Sequence, residues 1–493
     1  MSWILAIDQS TSATKAVLFD AQGNVFDRAS REHRQIYPQP GWVEHDAEEI
    51  WQNTLAVVDQ LRQRQPDVIA QVAGISITNQ RETIVVFDRQ TSEPLYHAIV
   101  WQCRRGGDLC RELCEQGDSD WVRDRTGLKI DTYFSGSKIA WLMRNVPGVA
   151  DKVLDGRAVF GTIDAYLVHR LTNGLSFVTD HTNASRTLLF DVKRLAWDGD
   201  LCRLFGIPTS ALPEVKESFQ VVGETDAGGR LPKKVPVCGV MGDSQASLMA
   251  QRCFEEGMIK ATFGTGTSVM MNVGDQFRLP AHGSVLALAW CCNGKPTYAL
   301  EGLINYSSAT IAWLRDQLEI LGDAAESEAL AHSVGDNDGV YLVPAFAGLG
   351  APYWSPNARA AIVGMTGHTM RGHIVRAALE SIAYQIRDCV EMIQLDTNIR
   401  PTRLMADGGP TRNAFLMQFT ADMLGLPLQA SEISESSALG AALAGMIGLE
   451  IHHDLSNLAE LPRTTRRYDP APRTDRIDRW YAGWQDAVQR VLM

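Results

Sequence analysis

Short apolar runs closed by small polar residues alternate along this chain with longer stretches whose apolar positions recur at helical spacing. The first run, Ile4-Leu5-Ala6-Ile7, predicts a buried strand, and Ala16-Val17-Leu18-Phe19-Asp20 a second one. Between them lies Asp8-Gln9-Ser10-Thr11-Ser12-Ala13-Thr14-Lys15, a turn poor in bulk. Such a turn lets N–H groups and hydroxyls converge on an anion. Asp8 then stands where Mg²⁺ would accompany a phosphate, and Lys15 adds positive charge. Ser, Thr and Asp are equally common in ordinary hairpin turns. What raises the phosphate reading is recurrence. Gly257 to Phe263, Gly264-Thr265-Gly266-Thr267-Ser268 and Val269 to Val273 repeat strand, small-residue turn and strand near mid-chain. Two such turns predict a duplicated α/β architecture, divided near Ala250 into residues 1–250 and 251–493.

Other elements follow the same logic. Helices are expected over Ile50 to Arg64, Ser137 to Arg144, Thr162 to Leu171, Ser247 to Gln251, Ser307 to Leu321, His373 to Gln394, Asn413 to Leu424 and Arg479 to Leu492. Strands are expected over Val72 to Ile77, Thr83 to Asp88, His97 to Trp101, Val235 to Met241 and Val340 to Pro344. Thr78-Asn79-Gln80-Arg81-Glu82 and Gln102-Cys103-Arg104-Arg105 follow strands, where α/β proteins place ligand contacts. Solvated turn charges explain those loops equally well. Thr179 to Arg186 reads as a polar connection. Asp243 ends a strand run. It is either a helix cap or a carboxylate aimed at a substrate proton. Gly408-Gly409 lets a flat ligand approach the backbone, or merely closes a loop.

Bulk properties narrow the classes. The length of 493 residues suits about two to four domains. A net charge of −12 argues against a general nucleic-acid binder. Nine cysteines without zinc-type spacing suit reduced thiols and a cytoplasmic setting. Met1-Ser2-Trp3 shows no secretory leader, and the Gly/Ala-rich apolar stretch Ala438 to Leu449 is too short to span a bilayer and reads as a buried helix. There is no GxxxxGK[ST], no nucleotide fingerprint GxGxxG opening a helix, and no GxSxG or HExxH.

Longer motifs are more specific. Tyr133-Phe134-Ser135-Gly136-Ser137-Lys138-Ile139-Ala140-Trp141-Leu142-Met143-Arg144-Asn145 resembles the first signature of the FGGY carbohydrate kinases, and Ala360 to Glu380 resembles the second. Thr78 to Thr83, Val100 to Arg105, Thr182 to Thr187 and Gly348 to Trp354 resemble the branch acting on glycerol.

The resemblance implies two actin-like (ribonuclease-H-like) ATPase domains with an interdomain cleft for ATP and Mg²⁺, and a homodimer or homotetramer as the assembly open to it. Thr11, Ser12, Ala13 and Lys15 would form the first phosphate turn, and Gly264, Thr265 and Gly266 the second. Ser308, Gly409 and Asn413 would lie by the adenosine, with Asp8 and Asp243 by the metal. Arg81, Glu82, Trp101, Tyr133 and Asp243 fall on polyol-binding positions, and Asp243 on that of the catalytic base.

Ser244 and Ser268 stand where a Gln and a Phe are usual in the polyol pocket, which implies a larger, more polar pocket. Ser10 and Ser308 replace glycines, and Lys15 an Arg. Gly229 to Lys234 departs from the fructose 1,6-bisphosphate turn of many bacterial members. The reading is phosphorylation of a primary hydroxyl of a small polyol, glycerol to sn-glycerol 3-phosphate first. Erythritol, threitol or a pentulose are the alternatives suggested by the two serines. A non-catalytic actin-like nucleotide binder is the reading from another class, and Arg81, Glu82, Trp101, Tyr133 and Asp243 together speak against it.

Overall fold

The computed structural model describes residues 2–493; Met1, part of the leader-free start expected above, lies outside them. The chain forms two compact units. Unit 1 takes the residues up to Arg252 together with Leu286–Tyr298 and Glu435–Pro462, and unit 2 takes Cys253–Val285, Ala299–Ser434 and Arg463–Met493.

In unit 1 a six-stranded sheet runs in the order Val221–Thr225, Val235–Gly242, Val72–Asn79, Trp3–Gln9, Ala13–Asp20, Val25–Glu32. Trp3–Gln9 is antiparallel to Ala13–Asp20 and parallel to Val72–Asn79, which is parallel to Val235–Gly242. These three parallel strands are buried almost throughout, hence their continuous apolar runs. The helix Ala47–Arg64 is capped by Asp46, which accepts from the N–H groups of Glu48 and Glu49. It buries Ile50, Val57 and Leu61 in one core with Leu5, Leu18 and Ile75.

The apolar stretch near Ala438 becomes the helix Ser436–Gly448, packed on Val235–Gly242 and on the helix Asp243–Ala250. Small residues allow that approach. A Cβ on Gly440 would fall 1.7 Å from the carbonyl oxygen of Ala246.

Unit 2 repeats the scheme. Thr267–Asn272 lies antiparallel between Met258–Phe263 and residues 299–304. Met258–Phe263 is parallel to Arg403–Asp407, which is parallel to Leu428–Ser431. Each sheet thus has an antiparallel edge leading into three parallel strands. In each, the hairpin turn carries one of the small-residue sequences predicted to bind phosphate.

Several segments differ from expectation, among them the helix expected to run to Leu321, which ends at Asp316. Thr179 to Arg186 is not a plain connection: it contains the strand Val178–Asp180 and the helical turn His181–Ala184. Asp180 organises it by accepting from the backbone and side chains of Thr182 and Asn183 and from the Ser218 hydroxyl. The strand before Trp101 is only Ala98–Ile99, and Val100 N–H instead bonds to the Val43 carbonyl. The helix after Val235–Gly242 begins at Asp243 rather than Ser247, since Gly242 takes the extended capping conformation and Asp243 Oδ1 accepts from Ser244 N–H.

Candidate active site

In unit 1 the register aligns the ends of three parallel strands, Gln9, Asn79 and Gly242. The segments leaving them carry Thr11, Arg81, Glu82 and Asp243. Gly242 N–H bonds to Thr182 Oγ1 at 2.8 Å, so the buried Asp180–Thr182 network fixes the backbone just before Asp243. The Asp243 side chain is 37% exposed, open to a ligand, and Arg81 Nε stands 3.3 Å from its Oδ1. Arg81 Nη1 also donates to Gln245 Oε1 at 3.2 Å.

Glu82 is buried and left-handed, φ 61°, a conformation that costs free energy for a residue with a side chain. The turn places it beside Arg81 and against Arg186, whose Nε donates to Glu82 Oε1 at 2.7 Å. Trp101 and Tyr133 lie with ring centroids 5.4 Å apart, tilted by 60°.

The first small-residue turn is closed by Ser10, whose N–H and hydroxyl both donate to the Ala13 carbonyl. Thr11 and Ser12 form its tip, and Ala13 is buried. Trp101 Nε1 donates to Thr11 Oγ1 at 3.0 Å. Lys15 is not directed at the turn alone: its Nζ lies 2.8 Å from Glu435 Oε2, and Arg28 shares that carboxylate. Asp8 is buried, which pushes its carboxyl up to about 7, with Lys15 opposing and Asp243 and Glu435 adding to the rise. Two carboxylates close enough to interact, Asp8 and Asp243, offer the hard oxygen donors that a divalent cation takes. The pair fits Mg²⁺.

In unit 2, Gly264-Thr265-Gly266 is pinned by its carbonyls. Gly264 C=O accepts from Ser308 N–H and from the Ser308 hydroxyl, and Thr265 C=O accepts from Ser307 and Ala309 N–H. In a trans peptide N–H and C=O point in opposite directions, so the N–H groups of Thr265 and Gly266 face away from the helix Ser308–Asp316. Two adjacent N–H groups turned the same way could meet an anion. Gly266 admits no side chain, for a Cβ would lie 2.3 Å from the Ile304 carbonyl oxygen.

Ser308, Gly409 and Asn413 line one cavity of about 450 Å³ together with the apolar Ile311, Ala312 and Leu416. Asn413 also caps the helix Ala414–Leu424 through Leu416 N–H. Ser268, expected to open space, uses its hydroxyl within the fold: Oγ donates to Glu301 Oε1 at 2.9 Å and accepts from Lys260 Nζ at 3.1 Å. Ser244 directly follows Asp243 in the first turn of its helix.

Several structurally important side chains carried no assignment from sequence. Arg186 holds Glu82. Lys138, fully buried, donates from Nζ to the carbonyls of Thr132, Tyr133 and Phe134 at 2.6, 2.7 and 3.1 Å, fixing the loop that presents Tyr133. A lysine within the apolar-periodic stretch after Tyr133 was the available signal.

The geometry agrees with what the chain is similar to. The N-terminal domain of the FGGY family of carbohydrate kinases matches residues 3–250, and the C-terminal domain matches residues 259–449. Glycerol kinase 2 of Thermotoga maritima is 46% identical over 492 residues, covering 100% of this chain and 99% of that protein. Glycerol kinase of Bacillus subtilis is 44% identical over 491 residues, with 100% and 99% covered. The crystal structure of Plasmodium falciparum glycerol kinase with ADP is 36% identical with a TM-score of 0.94, covering 100% of this chain and 99% of that one. Ligand-bound xylulose kinase of Lactobacillus acidophilus, at 21% identity and a TM-score of 0.89 with 100% and 99% covered, shares the fold. The α/β fold with two actin-like domains is therefore the one the resemblance implied. Among the described residues no helix is long and apolar enough to cross a membrane.

Proposed function

The chain belongs to the FGGY family of carbohydrate kinases, and we propose that its polyol is glycerol, phosphorylated by ATP on a primary hydroxyl to give sn-glycerol 3-phosphate. One observation carries this reading: Arg81, Glu82 and Asp243 project from the ends of adjacent parallel strands, with Asp243 the accessible carboxylate. Residues 1–250 supply the polyol site and first phosphate turn, and 251–493 the second turn and the adenosine cavity. Nine cysteines outside any disulfide, seven of them buried, suit a cytoplasmic enzyme.

Hydroxyls donate and accept, so a guanidinium and a carboxylate side by side bind neighbouring ones in complementary fashion. Trp101 and Tyr133 cover the C–H faces. Asp243 takes the proton as the O–H bond breaks. The freed oxygen forms a bond to the γ-phosphorus, the bond from that phosphorus to the β-phosphate oxygen breaks, and ADP leaves. In unit 1 the Thr11 hydroxyl, and in unit 2 the outward N–H groups of Thr265 and Gly266, are each suited to phosphate oxygens. Asp8 and Asp243 would hold Mg²⁺, which when bound neutralises phosphate charge.

An ADP-release assay over glycerol, erythritol, threitol and xylulose tests the substrate. Glycerol is expected to show the highest kcat/KM. A four- or five-carbon compound exceeding it tenfold would instead establish the reading suggested by Ser244 and Ser268. Ser268→Phe is expected to shift the ratio further toward glycerol. It should also lower the melting temperature, since the hydroxyl between Lys260 and Glu301 is lost.

Lys138→Met tests the Tyr133 loop. With three carbonyls released, KM for the polyol is expected to rise about tenfold, and KM for ATP to change little. Equal effects on both would remove Lys138 from a role at the polyol site. Burial pushes the Lys138 ammonium down to about 8 from 10.5. The native state therefore gives up this proton before the unfolded chain does. Its share of stability rises with pH between those values, a rise the Met variant should lack.

A further inference from the structure

A closed circuit of hydrogen bonds runs through unit 1, and its six members come from five separate stretches of the chain. Trp101 Nε1 donates to Thr11 Oγ1 at 3.0 Å, and Trp101 N–H donates to Thr83 Oγ1 at 3.2 Å. Thr83 Oγ1 donates to Gln80 Oε1 at 2.8 Å. Gln80 Nε2 faces His45 Nδ1 at 3.3 Å, His45 Nε2 faces Gln35 Oε1 at 2.8 Å, and Gln35 Nε2 donates to the Thr11 carbonyl at 2.8 Å. The circuit returns to the residue where it began.

The donor and acceptor roles are consistent all the way round. An amide nitrogen of Gln80 can only donate, so His45 Nδ1 accepts; in the neutral ring Nε2 then carries the proton and donates to Gln35 Oε1. Burial keeps His45 neutral, pushing it down to about 3. Gln80 is braced again by Gln9 Oε1 at 3.0 Å, and the Thr11 carbonyl by His33 Nε2 at 2.9 Å. Gln80, His45 and Thr83 are buried.

We infer that this circuit makes polyol and nucleotide binding interdependent, with Gln35, His45 and Gln80 as positioning residues that touch neither substrate. It rests on the function proposed above. Trp101 belongs to the polyol wall, and Gln80 directly precedes Arg81 and Glu82; Thr11 belongs to the phosphate turn. A threonine hydroxyl has a single hydrogen. Because Thr11 Oγ1 accepts from the indole, that hydrogen is left to donate to a phosphate oxygen. A polyol that holds Trp101 and Arg81 in place therefore orders Thr11 before the nucleotide arrives. By linkage the nucleotide does the same for the polyol.

The test is calorimetric titration of the full-length protein with MgADP, without and with saturating glycerol. The wild type is expected to bind ADP at least fivefold tighter with glycerol present. His45→Phe keeps a ring of similar size but breaks two links. Trp101→Phe keeps the aromatic wall but removes the indole N–H. Each is expected to reduce that ratio at least threefold, and Gln35→Met, on the surface side of the circuit, serves should His45→Phe fail to fold. A residue that merely supported the fold would weaken ADP binding equally under both conditions and leave the ratio unchanged. A wild-type ratio below fivefold, or variants that keep it to within threefold, would overturn the inference. Absence of any glycerol or ADP binding by the wild type would instead overturn the proposed function.

Discussion

Replacing Asp243 by Asn is expected to lower kcat about 10²- to 10⁴-fold, the usual contribution of a positioned general base, while ADP affinity measured without Mg²⁺ stays within about threefold. The amide keeps the size of the carboxylate and can still face Arg81 Nε, 3.3 Å away in the wild type. It cannot take up the hydroxyl proton. Steady-state ADP release together with calorimetric ADP binding separates the two effects. Near-normal turnover would remove Asp243 from its role; loss of nucleotide binding in parallel would show that the change acts on structure.

Arg186→Leu is expected to cost about 3–5 kcal/mol of stability, because it breaks a buried ion pair and leaves the Glu82 carboxylate with the longer 3.9 Å contact to Arg81 Nε in place of the close one. The side chains of Arg186 and Glu82 are 0% and 2% exposed and meet at 2.7 Å. Arg186 also donates to the Leu286 carbonyl and lies over the Phe134 ring. The variant should lose its polyol site as well, since the 2.7 Å contact that holds Glu82 in its left-handed turn is gone. Adding Glu82→Gln to Arg186→Leu removes the weakly compensated buried charge and is expected to recover part of the stability but none of the activity. Urea denaturation of the single and double variants gives the comparison. A double variant no more stable than Arg186→Leu would mean that packing, not charge, dominates at this site.

Those two predictions differ in how far the chain announced them. Asp243 stood at the end of an unmistakable apolar run, Val235 to Met241, so its place at a strand terminus was legible. So were the two small-residue turns, because strand, turn and strand are local patterns. Arg186 was not, since its partner Glu82 lies 104 positions away and nothing near Arg186 hints at a carboxylate. The left-handed turn at Glu82 was equally hidden, for no Gly or Asn marks it. Lys15 looked like a free phosphate ligand until Glu435, supplied by a distant segment, came beside it.

The helix Ser436–Gly448 shows the same limit at the level of packing. Its Gly- and Ala-rich composition gave away burial, but not that it would pack on strands from the first half of the chain. The circuit through Thr11, Gln35, His45, Gln80, Thr83 and Trp101 is legible only in three dimensions. Each member alone is an ordinary polar residue in a turn or at a strand end.

The most direct test of the central claim is transfer of label from [γ-³²P]ATP by the purified protein, with and without glycerol. The account predicts that radioactivity appears in sn-glycerol 3-phosphate in a one-to-one ratio with ADP, and that little ADP forms when glycerol is omitted. ADP formation at the same rate in the presence and absence of glycerol and every other polyol, with no labelled phosphate ester, would contradict it.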